Sequence, residues 1–179
     1  MAVEIERRFL VRAGWREHIL PGGVPPAGMT CERSSQGYLC ADPARVVRVR
    51  VSTGAAWERA WLTVKGTPPA PEGVETARGF ARSEFEYAIP VADARALLRL
   101  CVHPPLEKTR YTLVVAGNTW VVDVFHGANA GLVLAEIELE REDAPFAAPP
   151  WLGAEVTHDA RYCNACLAHQ PFTTWPAPD

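Results

Sequence analysis

An alternating pattern of charged and apolar side chains begins at residue 3, and it constrains the fold more than any other feature of the chain. Successive side chains of a β-strand point to opposite faces of the sheet. If residues 3–9 form a strand, Glu4, Glu6 and Arg8 share one face, and the mostly apolar residues between them share the other. Two carboxylates and a guanidinium do not suit an apolar core. This face therefore contacts either water or a polar interior.

The same alternation recurs in later stretches of the sequence. In each of them the charged side chains share one face, and these are Arg48 and Arg50; Lys65; Arg82, Glu84 and Glu86; Lys108 and Arg110; Asp123; and Glu136 and Glu138. A half-buried sheet with a solvated charged face is one explanation. A closed barrel with a polar lumen and an outer surface covered by helices is the other, and the recurrence favours it. We therefore predict an α+β protein of mainly antiparallel β structure, with a closed eight-stranded barrel and helices packed outside.

Hydrophobic periodicity and turn residues place the elements along the chain. Strands are predicted at residues 3–11, 33–41, 46–53, 58–66, 80–88, 107–116, 119–126 and 132–141, a helix at 90–100 and a loop at 67–79. Gly117 and Asn118 read as a tight turn. Asp159 is predicted to cap a helix near the C-terminus.

Length and composition limit the classes of protein. A chain of 179 residues is predicted to be one domain, 1–179, with a core at about 3–169 and a loose tail at 170–179. The net charge of −3 argues against a nucleic-acid partner. Residues 4–8 are charged where the apolar stretch of a signal peptide would begin, and no apolar run approaches membrane-spanning length, so we expect a cytoplasmic protein without a membrane partner. The sequence leaves open whether the protein is a homodimer.

The five cysteines are odd in number and irregularly spaced. This usage indicates reduced thiols without a disulfide framework. Cys163 and Cys166 have CxxC spacing, but no second pair accompanies them. The sequence therefore favours two small residues on a terminal helix over a zinc or redox site.

The charged stretches together resemble a known family. Glu4-Ile5-Glu6-Arg7-Arg8 is similar to the ExExK signature of the CYTH superfamily, the triphosphate tunnel metalloenzymes. The resemblance continues, in order, through residues 36–39, 48–50, 62–66, 84–87, 108–111, 122–127, 136–139 and 151–157. It spans about residues 3–169. A single ExExK motif would be weak evidence, whereas this ordered set is specific.

The resemblance implies a divalent-metal-dependent triphosphatase. The stretches 125–132 and 151–162 most resemble the small bacterial members, which implies hydrolysis of inorganic triphosphate to pyrophosphate and phosphate inside a charged tunnel. A class IV adenylate cyclase acting on ATP and a thiamine triphosphatase remain alternatives. A polyphosphate-binding module without catalysis is a further alternative, although the complete glutamate pairs count against it.

The charge pattern and the resemblance together assign roles to the charged residues. Basic side chains suit a polyanion, because arginine forks match phosphate oxygens, and the predicted substrate-binding set is Arg8, Arg48, Arg50, Lys65, Arg82, Lys108 and Arg110. Carboxylates suit hard cations, Mg²⁺ or Mn²⁺, and the predicted metal ligands are Glu4, Glu6, Asp123, Glu136 and Glu138. The predicted catalytic residues are Arg8, Tyr38, Glu84 and Glu86. Glutamates that are not on the metal could orient the attacking water. Tyr38 is either a packed aromatic or a side chain that reaches into the tunnel beside Arg8.

Position 8 departs from the family signature, which has lysine there. Arginine keeps the positive charge but does not lose its proton. A role that requires a lysine of lowered pKa is therefore excluded at this position, whereas a purely electrostatic role is retained.

Overall fold

The computed structural model describes residues 5–42, 45–66, 83–141 and 143–176 of the chain. In these described ranges nine strands form one sheet, and every recorded pairing is antiparallel. They are β1 (Ile5–Val11), β2 (Thr30–Asp42), β3 (Arg45–Thr53), β4 (Glu58–Gly66), β5 (Ser83–Ile89), β6 (Leu106–Val115), β7 (Asn118–Phe125), β8 (Val133–Leu139) and β9 (Leu152–Glu155). Their order across the sheet is β5-β4-β3-β2-β6-β7-β8-β1-β9. The predicted α+β class with mainly antiparallel strands is confirmed.

Among the described residues the sheet has one strand more than the eight predicted, and the recorded pairings do not close it into a barrel. The ninth strand, β9, contains four residues and pairs with β1, and it is too short for its alternation to be recognised in the sequence. Within the described residues no ladder joins β5 to β9, the two ends of the strand order. Closure of the barrel by hydrogen bonds therefore stays a prediction.

Three short α-helices accompany the sheet: α1 (Trp15–Ile19), α2 (Val91–Leu98) and α3 (Asn164–His169). None of the helices in the described ranges is long and apolar enough to cross a membrane. The prediction that Asp159 caps the last α-helix was wrong, because Asp159 caps the element before it. Asp159 caps a 3-10 turn at Ala160–Tyr162, and the side chain of Cys163 caps α3.

Two apolar clusters cover the outer face of the sheet. Around Trp120, residues from β1, β7 and β8 pack against Trp15 and Ile19 of α1 and against Trp151. On the other side, α2 places Ala94 against Val49 of β3. Helices α1 and α2 therefore pack outside the sheet, as predicted, and the charged faces of the strands are turned to the concave side.

The concave face is apolar at one end. There Leu106, Phe125 and Leu134, which are in phase with the charged residues of their strands, surround Leu167 of α3. Leu167 is fully buried. The channel that the charged residues line therefore has a closed apolar end.

Several predicted boundaries need adjustment. The turn between β6 and β7 is centred on Ala116 and Gly117, whose φ angles of 50° and 80° fit a type I′ hairpin, one residue before the predicted position. The predicted loop at 67–79 and the predicted start of β5 at residue 80 lie outside the described residues. Part of the expected loose tail is packed: the backbone N–H of Phe172 donates to Asn129, and the Trp175 ring contacts Tyr162.

Candidate active site

A continuous set of ion pairs crosses β1, β8, β7 and β6 on the concave face. We call it the carboxylate network, and its members are Glu6, Arg8, Lys108, Arg110, Asp123 and Glu136. Strand register forms it, because Arg8 lies opposite Glu136 and Arg110 lies opposite Asp123. Arg8 Nε donates to Glu136 at 2.8 Å, and Arg8 Nη2 donates to Glu6 at 2.5 Å. Arg110 joins the two halves, since its Nη2 contacts both Asp123, at 2.7 Å, and Glu136, at 3.3 Å.

Asp123 is the buried centre of one half of this network. It is 1 % exposed, and Lys108 beside it is 3 % exposed. Lys108 Nζ lies 2.6 Å from Asp123 Oδ2, and Arg110 Nε lies 2.8 Å from Oδ1. Burial alone would raise the pKa of Asp123, but the two cations outweigh it and hold this pKa well below its usual range. Asp123 is therefore a permanent anion with both oxygens engaged by cations.

Glu6 and Glu136 form the other half. Burial, followed by the nearby charge of Glu136, raises the pKa of Glu6 to about 7, although Arg8 acts in the opposite direction. Two carboxylates this close repel each other when both are ionised. A proton or a divalent cation between them relieves that repulsion.

A second charged group lies on strands β3, β4 and β5. We call it the arginine cluster, and its members are Arg48, Arg50, Lys65, Glu84 and Glu86. Lys65 pairs with Glu84 at 2.6 Å, directly opposite it in register. Arg48 Nη2 reaches Glu86 at 3.2 Å and Thr63 Oγ1 at 3.0 Å. The Arg50 guanidinium lies over the Trp61 ring, 4.7 Å from its centroid.

Both arginines of this cluster have an unused donor. Within the described parts of the chain, the buried Nε atoms of Arg48 and Arg50 have no hydrogen-bond partner. Burial, together with the neighbouring charges of Arg48 and Arg110, lowers the pKa of Arg50. Buried donors without acceptors are unfavourable, so this surface is arranged to accept an anion.

Tyr38 lies on the same face, opposite Arg48 in register, and is 4 % exposed. Its hydroxyl accepts a hydrogen bond of 2.7 Å from Gln36 Nε2, and burial raises its pKa. Tyr38 is therefore packed within the apolar end of the channel, and its hydroxyl belongs to the polar face. Its catalytic role stays a prediction.

The structure brings together most of the residues that the sequence selected. Glu138 lies opposite Glu6 in register but is exposed. Glu4 and Arg82 lie outside the described residues. Thr63, which bridges Arg48 and Glu86, was missed, as was Ser34, whose buried hydroxyl has no partner in the part of the chain that the structure describes. The alternation along the strands could have identified both residues, because Thr63 lies on the same face of β4 as Lys65, and Ser34 lies on the same face of β2 as Tyr38.

The carboxylates fit a divalent cation only in part. Among the described residues, no group of three or more His, Cys, Asp or Glu side chains is arranged to hold a metal. Glu6 and Glu136 nevertheless present adjacent carboxylates, the oxygen donors that Mg²⁺ and Mn²⁺ prefer. Asp123, predicted as a ligand, is instead bonded to Lys108 and Arg110.

Known proteins resemble this chain over nearly all of its length. Residues 2–165 match the CYTH domain. The inorganic triphosphatase of Acetivibrio thermocellus is 40% identical over 173 residues, which is 96% of this chain and 97% of that protein. The inorganic triphosphatase of Nitrosomonas europaea is 34% identical over 169 residues, 92% and 96% of the two chains. The crystal structure of the inorganic triphosphatase NE1496 superposes with a TM-score of 0.64 at 31% identity and covers 94% of this chain and 95% of that one. This chain belongs to the CYTH domain family.

Proposed function

We propose that the protein is an enzyme that hydrolyses inorganic triphosphate to pyrophosphate and phosphate in the charged channel. The observation that carries this proposal is the pair of buried Nε donors on Arg48 and Arg50, for which the residues that the structure describes supply no acceptor. A linear triphosphate supplies many oxygen acceptors along one line, and guanidinium groups bind such oxygens in pairs. The names of the two curated relatives support the same substrate.

The residues of the channel have different roles in the proposed reaction. Arg48 and Arg50 bind the phosphate chain. Thr63 and Glu86 hold Arg48, because Thr63 accepts from Arg48 and donates to Glu86 at 2.9 Å. Asp123 holds Lys108 and Arg110 on the opposite wall, so that these cations face the substrate in fixed positions. Phosphoryl transfer depends mainly on such positioning and on stabilisation of charge.

Glu6 and Glu136, with Glu4 and Glu138 as the further members of the predicted set, would hold Mg²⁺ or Mn²⁺. Such a cation neutralises phosphate charge and lowers the pKa of a bound water. Arg8 bridges Glu6 and Glu136 and keeps these carboxylates oriented. The charges of Glu136 and Glu6 outweigh burial and raise the pKa of Arg8, so it acts as a fixed cation rather than as a base. Glu84 and Glu86 remain candidates for orienting the attacking water.

The proposal extends to the setting of the enzyme. We propose that the chain acts as a single domain in the cytoplasm. All five cysteines are unpaired, which supports a reducing compartment. Whether two copies associate stays open to measurement.

Phosphate release from a panel of substrates tests the function. The panel contains inorganic triphosphate, pyrophosphate, ATP and thiamine triphosphate, each with Mg²⁺, with Mn²⁺ and with excess chelator. We expect inorganic triphosphate to give the highest kcat/KM, and turnover to stop with chelator. Faster turnover of ATP with release of cyclic AMP would instead identify a cyclase, and binding of triphosphate without turnover would identify a binding module.

A matched pair of variants separates site effects from effects of the fold. Glu136→Gln keeps the shape of the side chain and removes a proposed metal ligand, so most activity should be lost. Arg95→Ala removes an arginine that pairs with Glu58 on the outer face and is 60% exposed, and it should leave activity unchanged. Unchanged activity in Glu136→Gln would contradict the proposed site.

A further inference from the structure

An aromatic side chain, Trp61, lies on the charged face of β4. It alternates with Thr63 and Lys65 on this face, and it lies directly opposite Arg50 of β3 in register. Val46, which lies opposite Lys65, belongs to the apolar closed end of the channel. Trp61 is therefore farther from the closed end than Lys65 and Thr63, and its half-buried side chain lines the channel beside Arg50.

Trp61 contacts Arg50 through the face of its ring. The guanidinium carbon of Arg50 lies 4.7 Å from the ring centroid, inside the distance of about 6 Å at which a cation is attracted to an aromatic face. The Arg50 side chain is only 19% exposed, and this attraction is strongest where the cation is desolvated. A guanidinium donates hydrogen bonds in its own plane. Stacking therefore fixes that plane without using any donor.

Arg48, two residues earlier on the same face, is held by polar contacts instead. Its Nη2 donates to Thr63 at 3.0 Å and to Glu86 at 3.2 Å. Among the described residues, Arg50 makes one ion pair, between Nη2 and Glu86 Oε1 at 3.5 Å, which is longer than a well-formed hydrogen bond. Trp61 therefore gives Arg50 the orientation that Thr63 and Glu86 give Arg48.

The position of Arg50 on the ring also bears on the class of substrate. Tryptophan rings are effective stacking surfaces for nucleobases. Arg50 covers one face of Trp61, so a base could use that face only by displacing a charged side chain. Phosphate oxygens approach the edge of a guanidinium, and stacking leaves this edge open. The pair therefore favours a bare phosphate chain over the base of a nucleotide.

We propose that Trp61 is a positioning residue that fixes the plane of Arg50, so that the edge of this guanidinium meets the phosphate chain of the substrate. The inference rests on the proposed function, since it assigns Arg50 to phosphate binding. The stacked pair exists before substrate arrives, and its loss weakens binding of the substrate and of the transition state alike. Such a loss raises KM more than it lowers kcat.

Steady-state kinetics on inorganic triphosphate test the role of the ring. Trp61→Leu removes the aromatic face, and kcat/KM should fall roughly three- to thirtyfold, mainly through KM. Trp61→Phe keeps an aromatic face and should recover most of this loss. Trp57→Leu is the matched control, because it removes another tryptophan that contacts an arginine, Arg59, at 5.3 Å, and it should leave kcat/KM unchanged. Equal losses in Trp61→Phe and Trp61→Leu, or no loss in either, would overturn the proposal.

A double-mutant cycle tests whether Trp61 acts through Arg50. In the Arg50→Ala background, Trp61→Leu should change kcat/KM by less than about twofold, because the ring no longer has a guanidinium to orient. Losses that multiply would show that Trp61 acts through another group. A loss in Trp61→Leu that is confined to ATP would identify the ring as a base platform, and either result would overturn the proposal.

Nuclear magnetic resonance of the free protein separates this inference from the proposed function, because it requires no turnover. The Nε–H signal of Arg50 is identified by its disappearance in Arg50→Lys. The ring current of Trp61 should shift this proton upfield in the wild type, and the shift should vanish in Trp61→Leu. An upfield signal in a protein that does not hydrolyse triphosphate would contradict the proposed function alone. An unshifted wild-type signal would overturn the positioning role, even if Trp61→Leu fails to fold.

Discussion

The two charged groups of the channel are built from similar residues but differ in how fully their charges are paired. In the carboxylate network, Asp123 receives three bonds from Lys108 and Arg110, and Arg8 bridges two glutamates. In the arginine cluster, the cations also pair with Glu84 and Glu86, but the buried Nε atoms of Arg48 and Arg50 have no acceptor among the described residues. The described residues thus pair the cations of the network more completely than those of the cluster.

This difference in charge pairing indicates different functions for the carboxylate network and the arginine cluster. Charges that are buried and paired keep their positions in the free protein, so the network acts as a scaffold that presents Glu6 and Glu136. Charges with spare donors gain their bonds on binding, so the cluster determines affinity for phosphate. Substitution of the buried, fully paired Asp123 should therefore affect mainly stability, whereas substitution of Arg48 or Arg50 should affect mainly catalysis.

The largest effect is expected from Asp123→Asn. It leaves Lys108, which is 3 % exposed, and Arg110 without their counter-charge. Removing one partner of a buried pair typically costs about 3–5 kcal/mol, and the free energy of unfolding in urea should fall by that amount. Glu86→Gln is the matched change in the arginine cluster, where the glutamate is partly exposed, and it should cost less than about 1 kcal/mol. Equal losses in the two variants would remove the distinction between the walls.

The arginine cluster should respond in catalysis. Arg50→Ala removes a charge-assisted phosphate contact of about 1.5–3 kcal/mol, so kcat/KM for inorganic triphosphate should fall roughly ten- to a hundred-fold. Arg50→Lys keeps the charge but removes the Nε donor, and it should recover only part of this loss. The melting temperatures of both variants should stay close to that of the wild type. Full activity in Arg50→Ala would show that the free donors do not meet the substrate.

The pH dependence of metal activation tests the glutamates of the network. Because the pKa of Glu6 is raised from 4.5 to about 7, Glu6 is protonated below pH 7, and a metal must displace that proton. The Mg²⁺ concentration for half-activation should therefore decrease about tenfold between pH 6 and pH 8. Glu6→Gln should abolish this change. Without metal, the sign reverses for stability: the folded state binds the extra proton, so stability contributed by Glu6 is present at low pH and is lost as pH rises toward 7.

The smallest effect is expected from Arg8→Lys. Arg8→Lys keeps a fixed cation between Glu6 and Glu136, so activity should stay within about threefold of the wild type, whereas Arg8→Ala should lose roughly ten- to a hundred-fold. The pH–rate profiles of Arg8→Lys and wild type on inorganic triphosphate provide the measurement. A large gain in Arg8→Lys with a new basic limb would show that the reaction uses a titratable amine at this position.

Most of the fold was accessible from the sequence because strand alternation is a local property. Residues 58–66 were predicted as a strand with those bounds, and the helix predicted at 90–100 is present as α2, which packs against β3. β9 was not recognised, since its pairing with β1 depends on a partner that is distant in sequence. The C-terminal segment was misread for the same reason: Phe172 and Trp175 are held by contacts with Asn129 and Tyr162.

The sequence by itself determined which side chains share the inner face, because a period of two assigns each residue to one side of a strand. The sequence also shows that Arg8 stands where the family signature has lysine. Only the tertiary structure decided how those charges are paired, because register and strand order set the distances between residues far apart in the chain. Register and strand order place Asp123 beside Lys108 and Arg110, and they leave the Nε atoms of Arg48 and Arg50 without an acceptor among the described residues. Pairing of this kind is a long-range property that no local pattern encodes.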